Sequence, residues 1–77
     1  MLTYKAMFKF VDGGVHAKVL DFSGAITGGR DIDEARRLLS SALVDMAETH
    51  WRQGKPLPTP HHSLTDSEAD IEELIHA

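Results

Sequence analysis

Apolar and polar residues alternate along the first twenty positions of the chain. In residues 2–10 every second side chain is apolar and would share one face of an extended strand: Leu2, Tyr4, Ala6, Phe8 and Phe10. A period of two is typical of a strand with one buried face. Asp12-Gly13-Gly14 then predicts a tight turn, because glycine adopts the positive φ that hairpin turns require. Residues 15–21 alternate again, so the pattern predicts a β-hairpin.

A short strand and a long helix are predicted after the hairpin. Residues 25–27 lie between Ser23-Gly24 and Gly28-Gly29, and both dipeptides predict turns. Asp31 is placed to cap a helix, and Glu34 completes a capping box. Gly54 predicts the end of the helix. Apolar residues recur between these limits at helical spacing: Ile32, Ala35, Leu38, Leu39, Ala42, Leu43, Met46, Ala47 and His50.

The C-terminal part predicts a connector and a second helix. Residues 55–62 contain the three prolines of the chain, which favours an extended segment. Thr65-Asp66-Ser67-Glu68 is a second capping signature, and Ile71, Leu74 and Ile75 follow at helical spacing.

We therefore expect an α+β fold. A three-stranded antiparallel sheet, in the order β-β-β-α, carries one long helix, and a short C-terminal helix follows. Residues 1–60 form the core domain, and residues 61–77 form the connector and a short acidic helix.

Length and composition restrict the function classes. A chain of 77 residues makes one domain that buries only about 60% of its unfolded surface. It has no cysteine for a disulfide or a thiolate metal site, so the pattern favours a homo-oligomer. No apolar run reaches the ~20 residues of a membrane span, and the first residues do not resemble a signal peptide. We expect a cytoplasmic protein.

The charge is distributed unevenly. The net charge is −4, but residues 1–60 hold 8 basic and 7 acidic residues. Residues 61–77 hold five acidic residues and no Lys or Arg. The tail favours a basic protein partner, and the chain is a poor candidate for direct nucleic-acid binding, which needs a concentrated basic face.

The order strand, turn, strand, FSGAITGG, capped helix and Gly-x-Pro-x-Pro resembles the core of the HicB antitoxins. The matching residues are Phe22, Gly24, Thr27, Gly28, Asp31, Glu34, Ala35, Gly54, Pro56 and Pro58. The resemblance covers residues 3–60. It implies a partial ribonuclease-H-like fold without enzymatic activity. It also implies that the chain neutralises a small basic HicA-like mRNA interferase by stoichiometric occlusion.

The chain departs from the HicB pattern in three places. Ser23 stands where the family usually has proline, which loosens the turn. Many HicB proteins append a DNA-binding module, and residues 61–77 leave no room for one, which argues against operator binding by this chain. The family core also tends to end with a strand after the helix. Since no β-rich segment remains, we expect that strand to be missing, supplied by another subunit, or lost through truncation.

Candidate partner-binding residues lie in the acidic tail and among the aromatics. Opposite charge would speed encounter with a basic toxin, although a solvated helix face explains the acids equally well. For the two aromatics, an interface role and core packing remain open. The candidates are Asp66, Glu68, Glu72, Glu73, Trp51 and Phe22. An unpaired sheet edge is expected to mediate self-association.

We expect no catalytic, metal or cofactor site. His50, His61 and His62 lack the spacing of metal ligands. Gly28-Gly29-Arg30 is not a phosphate loop, because acidic residues come directly after it. Turn, capping and dipole roles account for the carboxylates that a two-metal nuclease would need: Asp12, Asp21, Asp31, Asp33 and Glu34. The alternatives are a homo-oligomeric structural or interaction module without a toxin partner and, less favoured, a degenerate nuclease.

Overall fold

A computed structural model describes residues 3–22 and 24–76 of the chain. Leu2 and Ser23 lie outside these ranges. The departure from the HicB pattern at Ser23 therefore also lies outside the described residues. The elements follow in the order β1 (Thr3–Val11), β2 (Gly14–Val19), β3 (Ile26–Gly29), α1 (Ile32–Arg52) and β4 (Ile71–His76). The strands form a four-stranded sheet of order β3-β2-β1-β4, in which every neighbouring pair is antiparallel.

The predicted hairpin is confirmed. β1 and β2 pair from Ala6↔Val19 to Val11↔Gly14, and Gly13 makes the turn with φ of 79°. The expected inward face of β1 is buried at Tyr4, Ala6 and Phe8, whereas Phe10 is 53% exposed. The alternation places Met7 among the outward residues, yet it is only 2% exposed. The face of the sheet away from α1, which we call the outer face, is therefore covered where Met7 lies.

The long helix begins and ends where the sequence predicts. Asp31 is the N-cap, and its Oδ1 accepts a hydrogen bond of 2.8 Å from the backbone of Glu34. The Glu34 side chain accepts from the backbone of Arg30 at 2.9 Å, one residue before the cap. At the other end Gly54 has φ of 69°, and Lys55 N–H donates to the carbonyl of His50 at 2.9 Å. This bond and the positive φ define a Schellman motif.

The predicted turn at Gly28-Gly29 is wrong, because both glycines belong to β3. A Cβ at Gly29 would lie 2.7 Å from the backbone nitrogen of Ala35, so only glycine lets the first turn of α1 approach the strand this closely. The chain reverses at Arg30 and Asp31 instead.

The predicted C-terminal helix is also wrong, and with it the three-stranded sheet. Ile71–His76 is strand β4, which pairs with β1 from Thr3↔His76 to Phe8↔Ile71. A helix of so few residues is marginal in water, whereas the free edge of β1 offers a complete set of backbone partners. β4 therefore joins the same sheet as the three earlier strands.

The core lies between α1 and the inward face of the sheet. Ile71 and Ile75 of β4 pack against it. The largest fully buried side chains are Tyr4, Phe8, Phe22, Leu39 and Leu43. The connector between α1 and β4 (residues 53–70) passes around one end of the sheet, where the Tyr4 hydroxyl donates to the carbonyl of Pro58 at 2.7 Å. It then crosses to the outer face.

Candidate partner-binding surfaces

Two of the predicted acidic residues bind lysines of the outer face. Asp66 Oδ2 lies 3.1 Å from Nζ of Lys18, and Glu72 Oε1 lies 3.6 Å from Nζ of Lys5. The two carboxylate side chains are only 19% and 23% exposed. Their charges are largely matched inside the chain, so they hold the connector and β4 in place.

The other two predicted acids lie in different surroundings. Glu73 points toward α1 and receives a bidentate pair from Arg36, with Nε and Nη2 each 3.0 Å from its oxygens. Glu68 lies 3.5 Å from Lys9, and its side chain is 73% exposed. Of the four acids proposed for a basic partner, Glu68 presents the most carboxylate surface to solvent.

Hydrogen bonds donated by the connector favour the ionised carboxylates of Asp66 and Glu72. The Thr65 hydroxyl donates to Glu72 Oε2 at 2.6 Å, and the backbone N–H of Asp66 donates to the same oxygen at 3.0 Å. With the charge of Lys5, these bonds hold the pKa of Glu72 below its usual value. A hydrogen bond from the backbone N–H of Glu68 lowers the pKa of Asp66 most, and the hydrogen bond from Lys18 lowers it further. Both acids therefore stabilise the fold in their charged form.

A histidine and a partly buried aspartate hold the first half of the connector against the sheet. His61 contacts Asp21 twice, through its backbone N–H at 2.7 Å and its ring Nδ1 at 3.0 Å. The Asp21 side chain is 7% exposed. Burial alone would raise the pKa of Asp21, but the hydrogen bonds from His61, together with the charges of His61 and His62, outweigh burial and lower the pKa. Next to it, His62 Nε2 lies 2.7 Å from the carbonyl of Thr3.

These histidines do not converge on a metal site. Within residues 3–22 and 24–76 no group of three or more His, Cys, Asp or Glu side chains is arranged to hold a metal ion. His50 lies at the end of α1, where its ring meets Phe22 edge-on at 5.0 Å and its Nδ1 is 3.3 Å from the carbonyl of Pro56. His50 is half-buried, as the helical spacing predicts. The histidines join the connector to the core.

The two aromatic candidates occupy opposite environments. Phe22 is 1% exposed and packs against Tyr4 with ring centroids 5.7 Å apart, so it belongs to the core. Trp51 is 81% exposed near the end of α1. Of the two, only Trp51 is accessible to a partner.

Sequence reasoning missed Val44, which shares the outward side of α1 with Trp51. Val44 is 44% exposed and lies seven residues before Trp51, two helical turns away. A depression of about 300 Å³ lies beside it, lined by Ser40, Ser41, Val44 and Asp45. Its sequence signal is an apolar residue outside the buried stripe, at a spacing that matches Trp51.

A second exposed surface surrounds the free edge of β3. Within the described residues β3 pairs only with β2, so its other side is an open strand edge. Ile26 on this strand is 53% exposed, and Val11 at the hairpin is 47% exposed. A groove of about 530 Å³ runs between the hairpin, β3 and the first turn of α1, with Arg30 and Glu34 on its wall. Since β4 forms the opposite edge of the sheet, the predicted self-association through a strand would take place at one of these two edges.

The residues shared with the HicB pattern have structural roles in this chain. Gly24 has φ of 99°, a left-handed conformation that favours glycine. Ala35 is fully buried against Gly29. Gly28 lies in β3, and the carbonyls of Pro56 and Pro58 lie within hydrogen-bonding distance of His50 and Tyr4. The cap at Asp31 and the helix end at Gly54 are features of this fold, whereas the turn expected at Gly28-Gly29 is not.

In comparisons with protein-family models and with curated proteins, nothing matches this sequence. The described residues also form no helix with the length and apolar character that a membrane span requires.

Proposed function

We propose that this chain is an antitoxin-like binding protein of the HicB type. It would neutralise a small basic HicA-like mRNA interferase by stoichiometric occlusion, without chemistry of its own. The observation that carries the proposal is β4. The resemblance implies a β-β-β-α core followed by a further strand, and Ile71–His76 supplies such a strand beside β1.

The charge pattern supports a basic partner but narrows the surface that would meet it. Asp66, Glu72 and Glu73 are committed to Lys18, Lys5 and Arg36 within the chain. Glu68 is the exposed member of the group, and we propose it as the residue of the acidic segment that steers the toxin. Long-range attraction between opposite charges raises association rates more than it raises affinity.

The experiment that tests the function is co-expression with the small basic protein encoded next to this chain. We expect the neighbour alone to arrest growth and the pair to grow and to co-purify as a stoichiometric complex. In a purified system, RNA cleavage by the toxin should stop at one equivalent of this chain. A neighbour that is harmless alone, or that never binds the chain, would contradict the antitoxin proposal.

The proposed steering role of the acidic segment has a matched pair of variants. Glu68→Lys and Asp45→Lys make the same change of charge at exposed positions, one on the connector and one on α1. Association of Glu68→Lys with the toxin should be roughly 3- to 10-fold slower at low salt, an effect that high salt removes. Asp45→Lys should be slowed less. Equal association rates for the two variants would show that Glu68 does not contribute to toxin binding, and they would leave the antitoxin proposal intact.

The rival function is a homo-oligomeric structural or interaction module without a toxin partner. The exposed Trp51 and Val44 on α1 favour it, because large apolar side chains exposed together mark interaction surfaces. Isolation of the gene from any small basic neighbour would support this alternative.

A further inference from the structure

The outward side of α1 carries a regular seam. Residues 37, 40, 44, 47 and 51 follow one another at steps of three, four, three and four. This spacing is the one by which helices pack along a coiled-coil interface. We call these residues the outer seam: Arg37, Ser40, Val44, Ala47 and Trp51.

The outer seam is distinct from the side of α1 that faces the sheet. Leu39 and Leu43 are fully buried in the core, whereas Trp51 is 81% exposed and Val44 is 44% exposed. The side chain of Arg37 is 68% exposed, and its ion pair with Glu34 is long, at 3.8 Å. The outer seam is therefore available to a partner without any change in the core.

We infer that two copies of this chain associate through their outer seams, with the two α1 helices antiparallel and the two-fold axis at Val44. In such a pair, residues equally far before and after Val44 face each other. Arg37 lies seven residues before Val44, and Trp51 lies seven residues after it.

The chemistry of the seam is complementary to itself in this arrangement. The Arg37 guanidinium of each copy meets the Trp51 indole of the other, and a cation over an indole face is the strongest cation–π pair among the aromatics. Ser40 is small enough for the helices to approach, and Val44 enters the depression beside the other copy's Val44.

The charges favour a second copy over a basic partner at this surface. Arg37 lies on the seam with its side chain 68% exposed and would repel a basic protein, whereas a second, antiparallel copy of the same helix places an indole against it. The seam from Arg37 to Trp51 spans about 21 Å at 1.5 Å per residue. Such an interface lies at the small end of specific interfaces, so we expect roughly micromolar dissociation.

The first test measures the mass of the full chain by sedimentation across the micromolar range. Trp51 is the only tryptophan of the sequence, so its emission reports directly on the seam. We expect the mass to double and the emission to shift to shorter wavelength at the same protein concentration. Val44→Glu places two carboxylates at the axis and should weaken the dimer at least tenfold.

The control is Ile26→Glu on the free edge of β3. Ile26 is 53% exposed and matches Val44 in character, but it lies on the sheet rather than on the seam. Ile26→Glu should leave the dimer intact, and circular dichroism should show both variants folded. A dimer that Ile26→Glu dissociates and Val44→Glu does not would place self-association at the strand edge and overturn the inference.

A cross-link gives a second test that does not require a destabilising change. The chain has no cysteine, so Val44→Cys introduces a single thiol at the proposed axis. Under mild oxidation Val44→Cys should form an intermolecular disulfide at least tenfold faster than Ile26→Cys. Equal rates would contradict the geometry.

These measurements use the chain alone, so the inference does not rest on the antitoxin proposal. A monomeric mass at every concentration overturns it, and so does a Trp51 emission that shifts only when another protein is added. A chain that forms the dimer but does not neutralise the toxin would contradict the proposed function and leave the dimer inference intact.

Discussion

Two segments of this chain carry the same signature of a helix start, and only one of them begins a helix. At Asp31 the side chain caps the backbone of Glu34, and 21 helical residues come after it. At Thr65 the hydroxyl donates to Glu72 instead, and Glu68 N–H donates to Asp66 in a local turn. The strand β4 begins soon after Glu68, at Ile71.

The difference lies in the length and the surroundings of the segment after each signature. α1 has length enough to bury a stripe that includes Ala35, Leu39 and Leu43, so tertiary packing stabilises the helix that the cap begins. The segment after Glu68 is short, and it lies beside an unpaired edge of β1. A capping signature therefore permits a helix without determining one, and strand pairing decides the outcome in the C-terminal segment.

The largest expected effect comes from removing β4. A chain that ends at Asp70 loses the partly buried Ile71 and Ile75 and exposes the edge of β1. Two such side chains contribute about 3 kcal/mol, a large part of the free energy of unfolding of a small domain. We expect a non-cooperative urea transition with residual helix by circular dichroism. A truncated chain that unfolds as cooperatively as the full chain would show β4 to be dispensable.

Two single substitutions sharpen that result, because their effects differ according to whether the C-terminal segment is a strand or a helix. In a helix Leu74 and Ile75 would share the apolar face that sequence reasoning assigned to them. In β4 they point to opposite faces, with Leu74 54% exposed and Ile75 packed on the core. Ile75→Ser should therefore cost about 2 kcal/mol and Leu74→Ser less than about 0.5 kcal/mol. Similar costs for both would favour the helix.

The hairpin and α1 could be predicted because their signals are local. Gly13, Asp31 and Gly54 each act on backbone within a few residues, so a short window of sequence contains the cause. β4 could not be predicted in this way, because Thr3 pairs with His76 at the far end of the chain. Its inward side chains are Ile71, Glu73 and Ile75, and the charge in the middle disguises the alternation of a strand.

Arg36 explains why Glu73 is tolerated at an inward position. Its bidentate contact with Glu73 at 3.0 Å satisfies the carboxylate, and this contact also raises the pKa of Arg36. No sequence pattern links the two residues, since they are on different elements. The same limit applies to the candidate site, where the sequence leaves an interface role open for both Phe22 and Trp51, and only packing against Tyr4 places Phe22 in the core.

A smaller effect distinguishes the two capping signatures directly. Asp31→Ala removes an N-cap and should lower the free energy of unfolding by about 1 kcal/mol. Thr65→Ala removes only a partly solvated hydrogen bond to Glu72 and should cost about 0.5 kcal/mol. Urea denaturation measures both values. The comparison fails if Thr65→Ala costs as much as Asp31→Ala and also reduces the helical signal.

The smallest expected effect is on the pH dependence of stability. The folded chain holds the pKa values of Glu72 and Asp66 below their usual values, through hydrogen bonds donated by the connector and ion pairs to Lys5 and Lys18. Groups whose pKa is lowered by folding stabilise the protein when the pH is above their unfolded pKa values, which are about 4. That stabilisation is lost as the pH falls from there through the folded values.

Glu72→Gln isolates the share of Glu72 in this acid sensitivity. The variant cannot ionise at this position, so it should be less stable than the parent at neutral pH, and the difference should shrink as the pH falls below about 4. Urea midpoints measured at several pH values provide the test. If the urea midpoints of the two proteins change in parallel with pH, folding does not favour the charged form of Glu72. In that case the pairing of β4 with β1 would hold the C-terminal segment without help from the ion pairs of the outer face.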